Sequence, residues 1–383
     1  HSTVEELYLA GALMRGLGSD NIDYRLRNAE FGAAEGVRTL GTSIASLSTL
    51  QRVLVVGSNL RKDHPLFALR VRHAVRHGAQ LNVITSQADF AHADAWAMPV
   101  AQAVLADAAA WAQALADVAA AIAAEKGVTA PAAGNVTAQA QAIAKSLLGG
   151  ERKAVLLGNA AAHHANASSL LALANWIAEQ TGASVGYLTE AANTVGAQWV
   201  GAQPQTGGKH AGQMLAGGLK AAILLNTEPE FDSAAGAAAA QSLGQAEMVV
   251  TLSPFKANMA FSDVLLPIAP FTETSGSFVN AEGRLQSFHA VVKPLAETRP
   301  AWKVLRVLAN LLEIPGVAFE TSQDVLARAT AKPLAASNAV HADIRLVGPV
   351  SAPAVASIYQ LDSIVRRAPS LQLTADARQE VTA

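Results

Sequence analysis

The chain of 383 residues contains no cysteine. That excludes a disulfide, a thiolate zinc site, a cysteine nucleophile and a cysteine-ligated iron–sulfur cluster within these residues. Aromatic residues are scarce at 5%, and charged residues make up only 15%, against roughly 25% in ordinary soluble domains. The 28 basic and 30 acidic residues nearly cancel, which argues against a protein that holds nucleic acid by its charge. No stretch of about 18 residues is continuously apolar, so nothing reads as a membrane span; the least charged run, Ala154 to Ala178, is broken by Asn159, His163, His164, Asn166 and Ser168. Gly-x-Ser-x-Gly, Walker and HExxH motifs are missing, which removes support for a serine hydrolase, a P-loop ATPase or a zincin. The sequence begins at His1 with no signal-peptide pattern and reads as a cytoplasmic segment of something longer.

What is abundant is alanine, 83 residues, a residue that favours helices able to pack closely. Val53-Leu54-Val55-Val56-Gly57 reads as a buried strand. A helix after His64-Pro65, with Leu66, Leu69, Ala74 and Val75 inward, leads to a strand at Leu81–Ile84. This is a βαβ unit, whose parallel strands need the crossover. An alanine-rich helical stretch runs from Asp94 to Lys126, with Val104, Trp111, Leu115, Val118 and Ile122 on one face. Gly149-Gly150 stops the next helix, and a domain boundary is placed there.

A second α/β set follows. Strands are expected at Ala154–Leu157, Ser184–Leu188, Ala221–Leu225, Met248–Leu252 and Val264–Leu266, and helices at Ser168–Gln180, Ser233–Leu243, Trp302–Leu312 and Ser322–Ala331. The expected fold is α/β: two doubly wound, mainly parallel-sheet domains and an irregular C-terminal tail. The divisions are 1–48, a leading segment packed on the second domain; 49–148; 149–332; and 333–383, the tail.

Gly57-Ser58-Asn59 and Gly158-Asn159-Ala160 each follow a strand and precede a helix. Such loops place backbone N–H groups at the carboxyl edge of a sheet, where phosphates bind. Thr85-Ser86 follows the second strand with no acid to accept a ribose hydroxyl, which disfavours a plain dinucleotide site. His73 and His77 have metal-binding spacing, but Arg70, Arg72 and Arg76 would repel a cation. His163-His164 read as an ordinary polar loop more readily than as ligands. The densest polar text is Glu273 to Gln286, in which Glu273, Asn280, Glu282 and Arg284 either bind a ligand or lock the loop; the lock is favoured.

With Asp263-Val264-Leu265-Leu266-Pro267 before it, that loop resembles the molybdopterin oxidoreductase family. The likeness extends to Val53–Ile84, to Asn193-Thr194-Val195-Gly196-Ala197 with Pro204, and to Asn226-Thr227-Glu228-Pro229. Glu5-Glu6-Leu7-Tyr8, Asn21 to Arg27 and Tyr359 to Ala368 resemble variants found in the large iron–sulfur subunits of bacterial NADH-quinone oxidoreductases, respiratory complex I. The resemblance implies the body of such a subunit, whose 4Fe-4S and 2Fe-2S clusters lie in a cysteine-rich part outside this segment. It also implies other peripheral-arm subunits as partners, no nucleic acid, no direct membrane span, and a place on the cytoplasmic side of the inner membrane.

Where relatives carry the metal's protein ligand this chain has Ala29, between Asn28 and Glu30, with Ser43 and Ser46 nearby; where they often have Asp-Pro-Arg it has Thr85-Ser86-Gln87. The expectation is a non-catalytic structural domain with no cofactor, catalytic residue or metal of its own. Its vestigial pterin-type pocket would comprise Gly57, Ser58, Asn59, Gly158, Asn159, Asn193, Gly196, Glu273, Gly276, Asn280 and Arg284, filled by side chains such as Glu273 and Arg284 or by water. The alternative is an oxidoreductase domain that still holds a pterin dinucleotide; an unrelated α/β ligand-binding protein would make the Asp263–Gln286 likeness an accident.

Overall fold

A computed structural model describes residues 2–32, 35–90, 96–347 and 353–379. The chain divides into two compact units, one of Asn28–Glu190 with Ala336–Ile358 and the other of His1–Arg27, Ala191–Ala335 and Tyr359–Ala383.

The first unit is built on a five-stranded sheet: β1 (Arg52–Val56), β2 (Gln80–Thr85), β3 (Gln102–Leu105), β4 (Lys153–Leu157) and β5 (Ser184–Tyr187), in the order β3-β2-β1-β4-β5. Every pairing is parallel. Val53–Val56 of β1 and Ala154–Leu157 of β4 are continuous apolar runs, and that of β2 is broken only by Asn82, because helices cover both faces of such a sheet. Helices Trp111–Lys126, Ala138–Leu148 and Ala167–Thr181 supply Trp111, Leu115, Val118, Ile122, Ile143, Leu170 and Ile177 to the core. Buried Ala112, Ala116 and Ala119 leave room for helices to approach closely.

The second unit has a parallel sheet of β6 (Ala221–Leu225), β7 (Met248–Ser253) and β8 (Val264–Pro267), and an antiparallel hairpin of β9 (Gly276–Val279) and β10 (Leu285–Phe288). Helix Val4–Gly16 buries Leu9 and Leu13 against Trp302, Leu305 and Ala309 of helix Ala301–Leu311 and Val325 of helix Ser322–Ala329. Thr3 caps the first helix through Glu6 N, and the Glu6 carboxylate returns to Thr3 N.

The α/β class with parallel sheets is as expected, but the divisions differ. Gly149-Gly150 ends a helix without ending the domain, because β4 pairs with β1, Val53 opposite Ala154 and Val56 opposite Leu157. Both flanks of β1 are thereby satisfied, a tertiary pairing that composition does not encode. The leading segment also splits: helix Val4–Gly16 packs in the second unit, whereas residues 28–48 fall in the first. So does the tail, at Ile358 and Tyr359.

Two local expectations are overturned. Leu66 and Leu69 are exposed, and helix Pro65–Arg76 buries Ala68, Val71 and Ala74 instead. Val104 lies on β3 rather than on a helix, which begins only at Trp111; residues 94–95 of that stretch are outside those described.

The C-terminal segment is fastened by charge. Arg367 reaches both Glu228 oxygens, at 2.7 and 3.0 Å, and Arg366 contacts Asp232 at 3.0 Å. Their guanidinium groups also lie over the rings of Phe255 and Phe231. Removing one partner of a largely buried pair strands the other charge. Glu228→Ala is therefore expected to release residues 359–379 and let trypsin cut at Arg366 and Arg367 under native conditions. An unchanged digestion pattern would show that this clamp does not hold the segment.

Candidate functional site

In the five-stranded unit, β1 and β4 are neighbours from which the crossovers leave in opposite directions, so their carboxyl ends form the switch point where α/β folds bind ligands. Gly57-Ser58-Asn59 and Gly158-Asn159 both lie there, as the sequence suggested. They face each other directly. A Cβ on Gly158 would overlap the Ser58 side chain and lie 2.6 Å from the Gly57 carbonyl oxygen. Gly57, at φ +63°, has Ala161 N and Trp111 at 2.6 and 2.8 Å from where its Cβ would be.

In the first of these loops the donors of Ser58 and Asn59 are engaged. The Ser58 hydroxyl donates to Asp63 Oδ2 at 2.9 Å, and Asn59 N–H donates to the same oxygen at 3.0 Å. Asn59 Oδ1 caps the next turn through Lys62 N, and its amide nitrogen donates to the Asp89 carbonyl. Asp63 thus occupies these donors with its own carboxylate oxygen. A pterin diphosphate at this loop would have to displace that carboxylate from Ser58 and Asn59, so the residues present do not suit it. Asp89, one turn past the second strand, accepts from the Ser86 and Thr85 hydroxyls, and its backbone N–H donates to Ser86 Oγ.

Around these loops the unit buries polar side chains. His163 and His164, read from sequence as a polar loop, are each only 2% exposed. His163 Nε2 and Glu190 Oε2 share a 2.7 Å hydrogen bond. His164 is held by the Ala108 carbonyl and by Asn166 N–H, a structural role. His64 is buried, and burial pushes its imidazole down to about 4, with the charge of Glu190 and the Asn159 amide opposing. His64 is therefore neutral at pH 7. Ala29 presents only a methyl, while Glu30 caps helix Ala167–Thr181 through Ser168 N and Oγ. Ser43 and Ser46 are tied into a local turn.

The remaining candidates belong to the other unit. Asn193 Oδ1 accepts from Val279 N at 2.9 Å and its amide donates to the Ser2 carbonyl, with Gly196 directly against it. Gly276 packs on Thr3. Glu273 accepts from Leu295 N at 2.8 Å, and Asn280 Oδ1 closes the β9–β10 turn by accepting from Glu282 N and Arg284 N. The side chain of Arg284 is 72% exposed and meets Glu282 at 3.5 Å. Both side chains thus make these contacts within their own loops.

Sequence reasoning missed Asp63, Glu190 and Glu5. Asp63 lies four residues after Asn59, one helical turn on, a spacing that signals a carboxylate folding back on a helix start. Glu5, in the first turn of its helix, is buried and accepts from Ser277 N and Oγ at 3.0 and 2.9 Å. Glu190 carries no comparable signal. Among the described residues no three or more His, Cys, Asp or Glu are grouped to hold a metal ion, and the exposed pair His73–His77 is no exception. None of the described helices is long and apolar enough to cross a membrane.

Parallel sheets with glycine-ended strands, and in the five-stranded sheet a switch point, define a doubly wound α/β protein. The chain belongs to the molybdopterin oxidoreductase family, which it matches over residues 1–311. It is 44% identical over 52 residues to a protein of Staphylococcus aureus (strain bovine RF122 / ET3-1) that bears a formate dehydrogenase name, 14% of this chain and 5% of that one. It is 43% identical over 53 residues to the mitochondrial NADH-ubiquinone oxidoreductase 78 kDa subunit of Candida albicans, 14% of this chain and 7% of that one. The aligned stretches thus span under a tenth of these curated relatives. In fold it is similar to a chain of the formyltransferase/hydrolase complex of Methylorubrum extorquens, with a TM-score of 0.57 at 21% identity over 83% of this chain and 90% of that one.

Proposed function

We propose that this chain is the pterin-enzyme-like body of a complex I large iron–sulfur subunit, acting as a structural domain of the peripheral arm. The observation that carries this reading is the Asp63 carboxylate bound to Ser58 Oγ and Asn59 N–H, the donors of the phosphate-type loop. Ala29, where relatives carry a metal ligand, points the same way. A family fold whose cofactor loop is closed by its own side chain retains the packing and gives up the chemistry. The short match to a 78 kDa subunit favours complex I over a formate-oxidising enzyme when taken with Glu5–Tyr8 and Tyr359–Ala368. In this reading electrons pass from NADH toward quinone through 4Fe-4S and 2Fe-2S clusters outside this segment. Its partners are other peripheral-arm subunits on the cytoplasmic side of the bacterial inner membrane.

The test is metal analysis and pterin extraction on the chain produced in a host that makes the pterin cofactor. No molybdenum, tungsten or pterin is expected, and an Asp63→Asn variant should gain affinity for inorganic phosphate at this loop. Stoichiometric pterin in the unaltered chain would overturn the proposal and support the retained-cofactor alternative. A tagged parent subunit purified from its own cells should bring down iron-rich, NADH-oxidising partners; formate oxidation instead would reject the assignment to complex I.

A further inference from the structure

We propose that the amino edge of the five-stranded sheet, opposite the switch point, binds a small oxyanion that also donates a hydrogen bond, of the hydrogen-phosphate class. A cavity of about 310 Å³ opens there between the starts of β1, β2 and β3 and helix Ala138–Leu148. Arg52, Gln80, Asn82, Gln102, Lys145 and Ser146 line it, with no acidic residue among the lining groups. Two cations and three amide side chains line it, a set rich in donors for an anion.

The second observation is Asn82. It occupies the middle of β2, an inner strand, and is fully buried. Its amide nitrogen donates to the Val53 carbonyl at 3.4 Å and to Ser146 Oγ at 3.1 Å. The Ser146 hydroxyl donates onward to Gln80 Oε1 at 2.8 Å. These partners fix which end of the amide is which, and they leave Asn82 Oδ1 buried without a partner. A buried acceptor is rarely left unpaired. Arg52 Nε is also buried and unpartnered, while its Nη1 is anchored on the Gln51 carbonyl at 2.7 Å. One orphan donates and the other accepts. Both residues line the cavity; a simple anion there would answer only the Arg52 donor, whereas an oxyanion that carries a proton would answer both.

The surrounding charge agrees. Lys153 pairs with Arg52 across β1 and β4, and its ammonium is pushed down by partial burial and by the charges of Arg52 and Lys126. A bound anion would relieve that repulsion. Register supports the geometry: Asn82 lies opposite Gln102, and Arg52 opposite Gln80.

The test titrates the full chain with inorganic phosphate, glycerol phosphate and sulfate, following amide resonances of Ala101 and Gln102 and the heat of binding. Phosphate should bind saturably, and sulfate, with no proton to give Asn82, at least about tenfold more weakly. Arg52→Gln should lose about tenfold or more for both anions. Lys145→Gln should lose less, in a salt-dependent way. Asn82→Ala should abolish the preference for phosphate over sulfate; if that variant does not fold, the sulfate arm on the unaltered chain carries the decision. Tighter glycerol phosphate would assign the site to a phosphorylated small molecule, and tighter inorganic phosphate to the free ion. Equal affinities for phosphate and sulfate, or no saturable shift, would overturn the proposal in favour of a merely basic, water-filled cleft.

Discussion

Replacing Gly186 by alanine is expected to cost about 4 kcal/mol or more, enough to unfold the five-stranded unit at physiological temperature. A Cβ at this position would run into the carbonyl oxygen and carbon of Leu40, with Gly41 N at 2.8 Å. These are backbone atoms and cannot turn aside like the end of a flexible side chain. Segment 39–41 is held there: Tyr187 N donates to the Thr39 carbonyl, and Asn338 bonds the Thr39 amide and carbonyl and the Val185 carbonyl. Total stability of a domain is about 5–15 kcal/mol, so this clash decides the outcome. Gly182→Asn is the contrast, since nothing lies near its Cβ position at φ +73° and asparagine tolerates that backbone region. It should change stability by less than about 1 kcal/mol. Thermal unfolding with hydrogen exchange read at β5 would separate the two variants. A Gly186→Ala protein as stable as the parent would refute the contact.

The two units are expected to respond to pH in opposite directions. In the unit of the small sheet, burial pushes the Glu6 carboxyl up from its ordinary 4.5 to about 7. Between those values the folded chain keeps a proton that the unfolded chain has released. Stability therefore falls as pH rises through that window, by about 3 kcal/mol. In the five-stranded unit His64 is pushed down from 6.5 to about 4. There the unfolded chain takes up the proton first, so stability is lost as pH falls from about 6.5 to 4, by about 3 kcal/mol. Segment-resolved hydrogen exchange in denaturant from pH 4 to 8 would read each slope. Glu6→Gln should flatten the first and His64→Leu the second, without crossing over. Slopes of the same sign in both units would mean that other groups dominate.

Periodicity made most elements legible. Val53–Val56, Leu81–Ile84, Ala154–Leu157 and Met248–Leu252 are strands where apolar β-branched runs end at turn residues, and Trp111, Leu115, Val118 and Ile122 do form one buried helix face. Leu66 and Leu69 were not legible as surface residues, because hydrophobicity measures what a side chain tolerates and not which face the neighbours cover. At the site, the loops after β1 and β4 could be located from their glycines. Their contents could not, because Asp63 acts through the hydrogen bonds it makes to Ser58 and Asn59, and Glu190 meets His163 from 27 residues away.

The sequence by itself determined the α/β class, the family likeness and the absence of any thiolate chemistry, since each follows from local pattern or composition. Tertiary structure alone decided that β4 joins β1, that the leading and trailing segments are shared between two units, and that Asp63 closes the phosphate-type loop. These are matters of which distant groups satisfy one another's hydrogen bonds and charges, and only folding brings such groups within reach.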